Sequence, residues 1–584
     1  MSLDGTYSRS ASPDERAALG HELLRSQRWV EALACYEAVL ELAPGHVPAR
    51  VGQGIALQNL GRLGPAVAAY RQALALRPQL SAARYNLGSC LLELGRHGEA
   101  EAALREVLAQ QPDHAGALAN LGTALKHQQR YDEALRACER ALALQPAAGL
   151  HHANLGALLR ELGRIEEALS CYERVTALEP GNFAAFSDRI FLAQYTDADP
   201  APLLRAYGEA VAAAARPYAQ WPAREPAARL RVGLVSADLR EHPIGYFLES
   251  VLAATADAVD WHAYPNSPAS DTLSERLRGH CRQWTPITGL DDEAAARLIH
   301  ADGLDLLIDL SGHTAGNRLP LFAWKPAPRQ ATWLGSCTET GVAAIDHFMA
   351  DPWIAPADMP FIAAVQRLPE TFLCFTPPAG APELAPLPAL KAGHLTFGCF
   401  NKLAKLNDGV LDAWARILSA LPRSRLMLKC GTLADDAQRR RMAQRFAERG
   451  IAAERLIFEG PSPRSDYLRT YDRVDIVLDP FPYPGGTTSI EGLWMGVPVL
   501  TLAGATPLAR QGLSIMNNLG LPEWVATDAN DYVARAISLA STTNTQALAE
   551  LRQGLRDRLR TSPLCDAGRF AGHLLQALQQ MAQR

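Results

Sequence analysis

The pattern of small, apolar and polar positions repeats every 34 residues through the first third of the chain. Glycine, arginine, alanine, proline and tyrosine each recur in a column of their own at this period. The columns are Gly20, Gly54, Gly88, Gly122 and Gly156; Arg28, Arg62, Arg96, Arg130 and Arg164; Ala32, Ala66, Ala100, Ala134 and Ala168; Pro44, Pro78, Pro112, Pro146 and Pro180; and Tyr36, Tyr70 and Tyr172, with Leu104 and Cys138 between them. This self-similarity predicts five stacked helix pairs over residues 13–180.

The residue types in these columns indicate how the pairs pack. Glycine and alanine let two antiparallel helices approach closely, and the proline stops the second helix of each pair. The unit resembles the tetratricopeptide repeat. We therefore expect an all-α tetratricopeptide superhelix with a concave surface, which in such arrays commonly binds extended peptide.

Asparagine recurs two residues before the repeat glycine, at Asn86, Asn120 and Asn154. These positions fall on the first helix of their repeats, which usually lines the concave face. A side-chain amide is both a donor and an acceptor, so three amides at one repeat spacing could bind a peptide backbone without reading its side chains. Alternatively, the amides bond neighbouring helices, and amide geometry permits either role.

Two shorter segments flank the array. Residues 1–12 are polar and lack the basic start and apolar stretch of a secretion signal, so we expect a cytoplasmic protein. Residues 181–228 have a helical pattern that is off the repeat. They are predicted to cap the array and link it to the next domain.

From residue 229 the pattern changes to short apolar runs that alternate with amphipathic helices. Runs such as LRVGLVS, LDLLIDLSG and QATWLG predict an α/β lobe over residues 229–390. After a stretch rich in Pro and Ala, the runs LTFGCF, SRLMLKCG and DIVLDP predict a second lobe over residues 391–584. Two facing Rossmann-like lobes bind ligands where the carboxyl ends of their strands meet.

Composition and charge narrow the class of protein. The 57 basic and 62 acidic residues are mixed along the chain and give a net charge of -5, so no nucleic-acid partner is expected. No stretch approaches the roughly 20 apolar residues of a membrane span, so no membrane association is expected. The ten cysteines form no CxxC pair and the histidines no HExxH, which suggests neither a metal site nor a disulfide framework. The motifs GxGxxG and GxxxxGKS/T are also absent, so the sequence lacks the motifs that usually indicate a dinucleotide oxidoreductase or a P-loop phosphotransferase.

The strongest local motif is DPFPYPGGTTSIEGLWMGVPV, in which a strand ends in a turn and a helix begins. Gly485 and Gly486 let the backbone approach a ligand closely. A helix that starts at Thr487 and Thr488 offers hydroxyls and free N–H groups to a diphosphate. Glu491 lies about one turn later and could accept hydrogen bonds from ribose hydroxyls. The alternative is an ordinary capped helix with a solvated glutamate.

Several motifs in order give the chain a resemblance that covers nearly its whole length. They are LVSADLREHPIGYFLESVL, LIDLSGHTAGNRL, KPAPRQATWLG, GCFNKLAKLND and GGTTSIEGLWMGVP, which follow the repeat array. The chain resembles the O-linked N-acetylglucosamine transferases and their plant SPINDLY relatives. That resemblance implies a GT-B fold and transfer, without metal and with inversion at the anomeric carbon, from a nucleotide sugar to Ser or Thr of proteins.

The resemblance also implies roles for single residues. His242 takes the place of the family's active-site histidine, proposed either as general base or as a contact near the donor sugar. Lys405 takes the place of a lysine that faces the donor diphosphate, where a fixed positive charge would stabilise the leaving UDP. Lys402 stands where the animal enzymes have Gln. His313 matches a crevice position of the bacterial and plant members.

A further stretch corresponds to the residues that surround the uracil in the animal enzymes. It contains Ser462 and Arg464, and Tyr467 would stack on the base where those enzymes have His. Thr470 and Glu491 stand where the animal pattern has Arg and Asp. These differences leave the general site in place and bear on the choice of donor.

The expected function is therefore an inverting glycosyltransferase that moves N-acetylglucosamine from UDP-N-acetylglucosamine to Ser or Thr hydroxyls of proteins. No cofactor or metal ion is expected, because the charge of Lys405 would make a metal redundant. The expected partners are the nucleotide sugar and protein or peptide acceptors bound by the repeat groove. The alternatives are GDP-fucose as donor, a repeat scaffold with vestigial lobes, and a nucleotide-sugar epimerase, which would need no protein-binding array.

Overall fold

A computed structural model describes residues 12–223, 229–541 and 545–583. The chain divides into two compact units, Met1–Leu158 and Leu159–Arg584. The division falls inside the predicted fifth repeat, so the second helix of that repeat belongs to the same unit as the α/β lobes. Within the described ranges, no helix combines the length and the apolar character needed to cross a bilayer.

The helices of the repeats follow the 34-residue period. Their bounds are α1 Pro13–Arg25, α2 Trp29–Leu42, α3 Val47–Asn59, α4 Leu63–Leu76, α5 Ser81–Glu93, α6 His97–Gln110, α7 Ala115–His127, α8 Tyr131–Leu144, α9 Gly149–Glu161 and α10 Ile165–Leu178. Each second helix ends two residues before the proline of its repeat. Of the predicted tail over residues 1–12, only Ser12 is described, and its hydroxyl caps α1 by accepting the N–H of Glu15.

Packing explains why the columns hold the residues they do. A Cβ atom at Gly20 would lie 2.7 Å from the ring of Tyr36, and one at Gly54 would lie 2.5 Å from the ring of Tyr70. Both tyrosines are fully buried. The small residue of one helix thus makes room for the large residue of its neighbour, and the period of the sequence is the period of this contact.

The second unit continues with two linking helices and two α/β lobes. The helices are α11 Phe183–Ala193, α12 Ala201–Ala214, α13 Pro243–Thr255, α14 Thr272–Gly279, α15 Asp292–Ala301, α16 Leu319–Ala323, α17 Pro388–Ala392, α18 Asp408–Ala420, α19 Asp436–Ala447, α20 Arg464–Thr470, α21 Thr487–Trp494, α22 Gln511–Asn518, α23 Ala529–Leu539, α24 Thr545–Arg560 and α25 Ala567–Gln583. The strands are β1 Leu230–Ser236, β2 Val259–Pro265, β3 Gln283–Trp284, β4 Leu306–Asp309, β5 Arg329–Thr332, β6 His347–Ala350, β7 Ala364–Arg367, β8 Thr396–Cys399, β9 Arg425–Lys429, β10 Leu456–Glu459, β11 Ile476–Leu478, β12 Val499–Leu502 and β13 Val525–Ala526.

Each lobe contains one parallel sheet of Rossmann-like order. The first sheet runs β3-β2-β1-β4-β5-β6-β7 and the second β10-β9-β8-β11-β12-β13. The strand order reverses between β1 and β4 and again between β8 and β11, and ligands bind at such switch points. The predicted fold class is confirmed: helical repeats are followed by the two sheets of a GT-B fold.

The last helix departs from the predicted division of the lobes. Residues 391–584 were predicted to form the second lobe, but α25 packs against α13, β4 and β7 of the first lobe. Phe570 on α25 is buried and stacks with the ring of Trp333 at 6.1 Å between centroids. The chain therefore returns to the first lobe at its end. This contact depends on tertiary packing, so the local sequence pattern does not predict it.

Candidate donor-binding site

Lys405 lies where the loops after β8 and β11 meet. It ends the short 3-10 helix Leu403–Lys405, and its Nζ donates to the Asn401 side-chain oxygen at 3.0 Å and to the Pro484 carbonyl at 2.7 Å. The same Nζ lies 3.9 Å from the centroid of the Tyr483 ring. The structure thus brings Lys405 to the GGTT motif, as the sequence analysis predicted.

Burial governs the charge of this lysine. It lowers the pKa of Lys405 to about 7, although the neighbouring Asp479 and Cys399 favour the ammonium form and Lys402 disfavours it. Burial also raises the pKa of Asp479 to about 6, against the effects of its hydrogen bonds and of Lys405. An anion bound beside Lys405 would restore the stability of the ammonium form.

The helix N-terminus next to Lys405 is open to a ligand. Helix α21 begins at Thr487, its N-cap residue is Gly486, and no side chain caps it. The hydroxyl of Thr488 donates to the Asn401 side-chain oxygen at 3.4 Å. The uncapped N–H groups, the two threonine hydroxyls and Lys405 form an arrangement that suits a diphosphate.

Asp479, at the end of β11, organises the glycine turn. Its carboxylate accepts the Gly485 N–H at 3.2 Å and the Ser489 hydroxyl at 2.9 Å. A Cβ atom at Gly485 would lie 2.2 Å from the Ser489 hydroxyl oxygen, so only glycine fits there. The aspartate lies within the motif DPFPYPGGTTSIEGLWMGVPV, but nothing in the sequence indicates this role.

His242 occupies the N-cap of α13, after β1. Its Nδ1 accepts the Ile244 N–H at 3.4 Å and lies 3.7 Å from a carboxylate oxygen of Asp238. Burial lowers the pKa of His242; Asp238 opposes this, while Arg240 and Lys402 reinforce it. The lowered pKa favours the neutral imidazole, which is able to accept a proton. Lys402 is exposed beside this group.

Arg464 links the two lobes in the region predicted to hold the base. Its guanidinium pairs with Glu491 at 2.5 Å and lies 5.2 Å from the ring centroid of Tyr246, on α13 of the first lobe. It also lies 5.8 Å from the ring centroid of Tyr467. Tyr246 lies within the motif LVSADLREHPIGYFLESVL, but the sequence does not show that its ring will face an arginine of the second lobe.

The structure is at odds with the ribose contact predicted for Glu491. Its side chain is only 3% exposed and its carboxylate faces Arg464 and Tyr467, with a pKa raised by burial. Helical spacing correctly placed Glu491 one turn into α21, but it did not reveal that α20 covers this face.

The remaining residues of the region predicted to surround the base differ in whether their side chains are already engaged in contacts within the protein. Tyr467 packs edge-to-face against Phe400 and Tyr471, with centroids at 5.8 and 5.9 Å, and Arg464 covers its ring. Thr470 donates to a carbonyl of its own helix. The hydroxyl oxygen of Ser462 is buried and has no hydrogen-bond partner in the described parts of the chain. Ser462 is thus the residue here with unused hydrogen-bonding capacity.

His313 is a structural residue in this fold, contrary to its predicted crevice position. It is 1% exposed, and its Nδ1 lies 3.1 Å from the Ser187 hydroxyl and its Nε2 3.0 Å from the Thr340 carbonyl oxygen. The ring also packs edge-to-face on Tyr207 at 4.9 Å. Helices α11 and α12 bring these partners, and the strand-end motif could not reveal them.

This burial predicts that His313 makes stability depend on pH. Burial lowers the pKa of His313 to about 4, whereas an unfolded histidine has a pKa of about 6.5. The unfolded chain then binds a proton that the folded chain does not, so the free energy of unfolding should fall as pH decreases from 6.5 to 4, by up to about 3 kcal/mol. Urea unfolding of wild type and His313→Gln across this range tests it, and an equal pH dependence in both would contradict it.

The three repeat asparagines lie on α5, α7 and α9. The side chains of Asn86, Asn120 and Asn154 are half-buried. Within the described residues their amides make no hydrogen bond to the protein, so bonding between neighbouring helices is not what occupies them. Their donors and acceptors are available to a peptide.

The described residues also contain no group of three or more His, Cys, Asp or Glu side chains placed to hold a metal ion.

Known proteins resemble the chain both in its repeats and in its α/β part. Glycosyl transferase family 41 matches residues 209–374 and 388–574, and tetratricopeptide repeats match 17–80, 51–115, 85–149 and 152–182. A mutant O-GlcNAc transferase of Thermobaculum terrenum, with a lysine replaced by methionine, has a similar solved structure. It is 35% identical, with a TM-score of 0.80 and coverage of 86% of this chain and 98% of that one.

Curated relatives match part of the chain. A probable UDP-N-acetylglucosamine--peptide N-acetylglucosaminyltransferase SPINDLY of Petunia hybrida is 36% identical over 383 residues, and the one of Oryza sativa subsp. japonica is 37% identical over 383 residues. In both cases the match covers 63% of this chain and 40% of the relative, so the chain spans less than half the length of these proteins. With the family match covering well over half of its residues, the chain belongs to glycosyl transferase family 41.

Proposed function

We propose that this protein transfers N-acetylglucosamine from UDP-N-acetylglucosamine to Ser or Thr hydroxyls of proteins, with inversion at the anomeric carbon. One observation carries the proposal: Lys405 lies beside the uncapped start of α21, at the switch point of the second lobe. The names of the SPINDLY relatives and of the Thermobaculum terrenum enzyme support the choice of donor.

The proposed reaction is a single displacement. The acceptor oxygen forms a bond to C1 of the sugar as the bond from C1 to the UDP oxygen breaks, and the electron pair leaves with UDP. Lys405 and the N–H groups of α21 stabilise the charge that develops on the diphosphate, which is the largest expected contribution. The hydroxyl proton passes to the neutral His242 or to a phosphate oxygen of the donor.

We further propose that this reaction needs no divalent metal. The diphosphate would receive its positive partner from Lys405 and from the dipole of α21, which is the task that Mg²⁺ performs in other phosphate sites. Equal turnover in magnesium and in EDTA is expected, and a requirement for magnesium would contradict the proposal.

Calorimetric titration with UDP, UDP-N-acetylglucosamine and GDP tests the donor. Binding of UDP and its sugar with little response to GDP, followed by mass-spectrometric detection of an added N-acetylhexosamine on protein acceptors, is the expected result. Tight binding of GDP instead would indicate GDP-fucose as donor. Failure of every nucleotide to bind would favour a repeat scaffold without transfer.

The pKa of Lys405 predicts how donor affinity varies with pH. The donor prefers the ammonium form, so its dissociation constant should rise as pH increases from 6.5 to 8.5, approaching tenfold per pH unit above about 7. UDP-N-acetylglucosamine is the right probe, because its phosphates do not titrate in this range. The Lys405→Met variant should bind weakly and without this trend. A flat profile in the wild type would show that burial does not lower this pKa.

We propose that protein acceptors bind the asparagine column of the repeats. The unoccupied amides of Asn86, Asn120 and Asn154 support a contact to peptide backbone, which would tolerate many acceptor sequences. The triple Asn→Ala variant should raise KM for a protein acceptor without changing the affinity for the donor. An unchanged KM would indicate that the asparagines have a structural role instead.

We propose a cytoplasmic location for this activity. No disulfide links the cysteines in the described residues, and many of them are buried thiols, as is usual in a reducing compartment. Fractionation of the native host with a cytoplasmic marker enzyme tests this.

A further inference from the structure

An aromatic stack connects the helix that follows the repeats to Lys405. The Tyr195 ring, two residues beyond the end of α11, lies 4.9 Å from the Tyr483 ring, and the Phe191 ring, on α11, contacts Tyr483 edge-on at 6.1 Å between centroids. Tyr483 also contacts the ammonium of Lys405, which lies 3.9 Å from its ring centroid. Tyr195 is 6% exposed, so its ring is fixed by packing.

A second contact joins the same part of the chain to the backbone that carries Lys405. Gly163, in the turn between α9 and α10, has φ +74, and a Cβ atom there would lie 3.0 Å from the Leu403 carbonyl oxygen. The equivalent turns of two other repeats adopt the same backbone with Gln27 and Gln129. The turn alone therefore does not require glycine. At position 163 the close approach to the 3-10 helix Leu403–Lys405 does.

From these contacts we propose that Tyr483 and Tyr195 are positioning residues for Lys405. The face of Tyr483 holds the ammonium under the diphosphate, and Tyr195 holds the ring of Tyr483. The turn before α10 and the C-terminal end of α11 would thus form one wall of the donor site. This inference rests on the proposed function, in which Lys405 faces the leaving diphosphate.

The physical reason is the charge distribution of an aromatic ring. An ammonium group over a ring face is attracted by the negative face, most strongly where water is excluded. The charged or titratable groups that act on Lys405 are Asp479, Cys399 and Lys402. Tyr483 adds to these without a formal charge, so it favours the ammonium form and fixes its direction while leaving the net charge unchanged.

The experiment uses the small number of lysines. The chain has six, so labelling with lysine that carries 13C at the ε carbon gives few NMR signals, and loss of a signal in Lys405→Met assigns it. We expect Tyr483→Leu to lower the pH midpoint of the Lys405 signal by about one pH unit and Tyr195→Leu to lower it by less. Tyr483→Phe and Tyr195→Phe, which keep the rings, should leave the midpoint unchanged.

Turnover provides the second measurement. Both leucine variants should lower kcat, Tyr483→Leu by about five- to thirtyfold, while the phenylalanine variants restore it. The inference is overturned if the pH midpoint of the Lys405 signal in Tyr483→Leu equals that of wild type. If Tyr483→Leu does not fold, the midpoint in Tyr195→Leu provides the same test. The NMR midpoint needs no nucleotide. A wild type that binds no nucleotide sugar would therefore refute the proposed function while these midpoints still decide whether the tyrosines position the lysine.

Discussion

Replacing Lys405 by methionine should lower turnover with UDP-N-acetylglucosamine at least a hundredfold and leave the protein folded. The lysine is the one side-chain cation in direct contact with the glycine turn among the contacts described above, through the Pro484 carbonyl. Loss of one preorganised group that stabilises a leaving charge costs about 2.7 to 4 kcal/mol of transition-state stabilisation in other enzymes. Part of that cost should appear in KM for the donor, which binds the ammonium form, and the rest in kcat, because further charge develops as the bond to UDP breaks.

The matched control is Lys391→Met, which removes an exposed lysine from the same lobe. Its turnover should equal that of wild type. Both variants should unfold at temperatures close to wild type, because burial already disfavours the charge of Lys405 and methionine has a similar length. A Lys405→Met variant with near-normal turnover would exclude leaving-group stabilisation by this residue.

Sequence was sufficient for the fold where a pattern repeats or a strand is long. The 34-residue columns predicted the helix pairs because the glycine and tyrosine columns correspond to a packing contact, such as Tyr36 against Gly20. Strands β3 and β13 contain two residues each, too few for any periodicity to mark. The return of α25 to the first lobe depends on tertiary packing alone.

The candidate site shows the same limit at the level of single residues. Lys405 and the GGTT turn meet as predicted, because both follow strands that flank the switch point and the topology fixes their positions. Glu491 and His313 differ from prediction because their environment comes from α20, α11 and α12, which no local motif describes. The contacts of Tyr195 and Tyr483 were not predicted, because the local sequence around an aromatic residue does not show which cation its ring will contact.

The second large effect is expected from Asp479→Asn, which removes the buried negative charge that acts on Lys405 and keeps the shape of the side chain. Asp479 raises the pKa of Lys405, so without it the lysine should lose its proton below pH 7. Turnover at pH 7.5 should fall about ten- to a hundredfold and recover in part as pH is lowered to 6. The free energy of unfolding should also fall by about 1 kcal/mol, because the amide has one acceptor oxygen where the carboxylate has two for the Gly485 N–H and the Ser489 hydroxyl.

Ser489→Ala separates the charge of Asp479 from its hydrogen bonds. This variant removes the hydroxyl that donates to the carboxylate at 2.9 Å but leaves both charges in place. It should lower the free energy of unfolding by about 1 kcal/mol and keep the wild-type pH profile of turnover. If Asp479→Asn and Ser489→Ala have the same pH profile, the aspartate only shapes the glycine turn. If only Asp479→Asn shifts its profile towards acid, the carboxylate keeps Lys405 charged for the departing diphosphate.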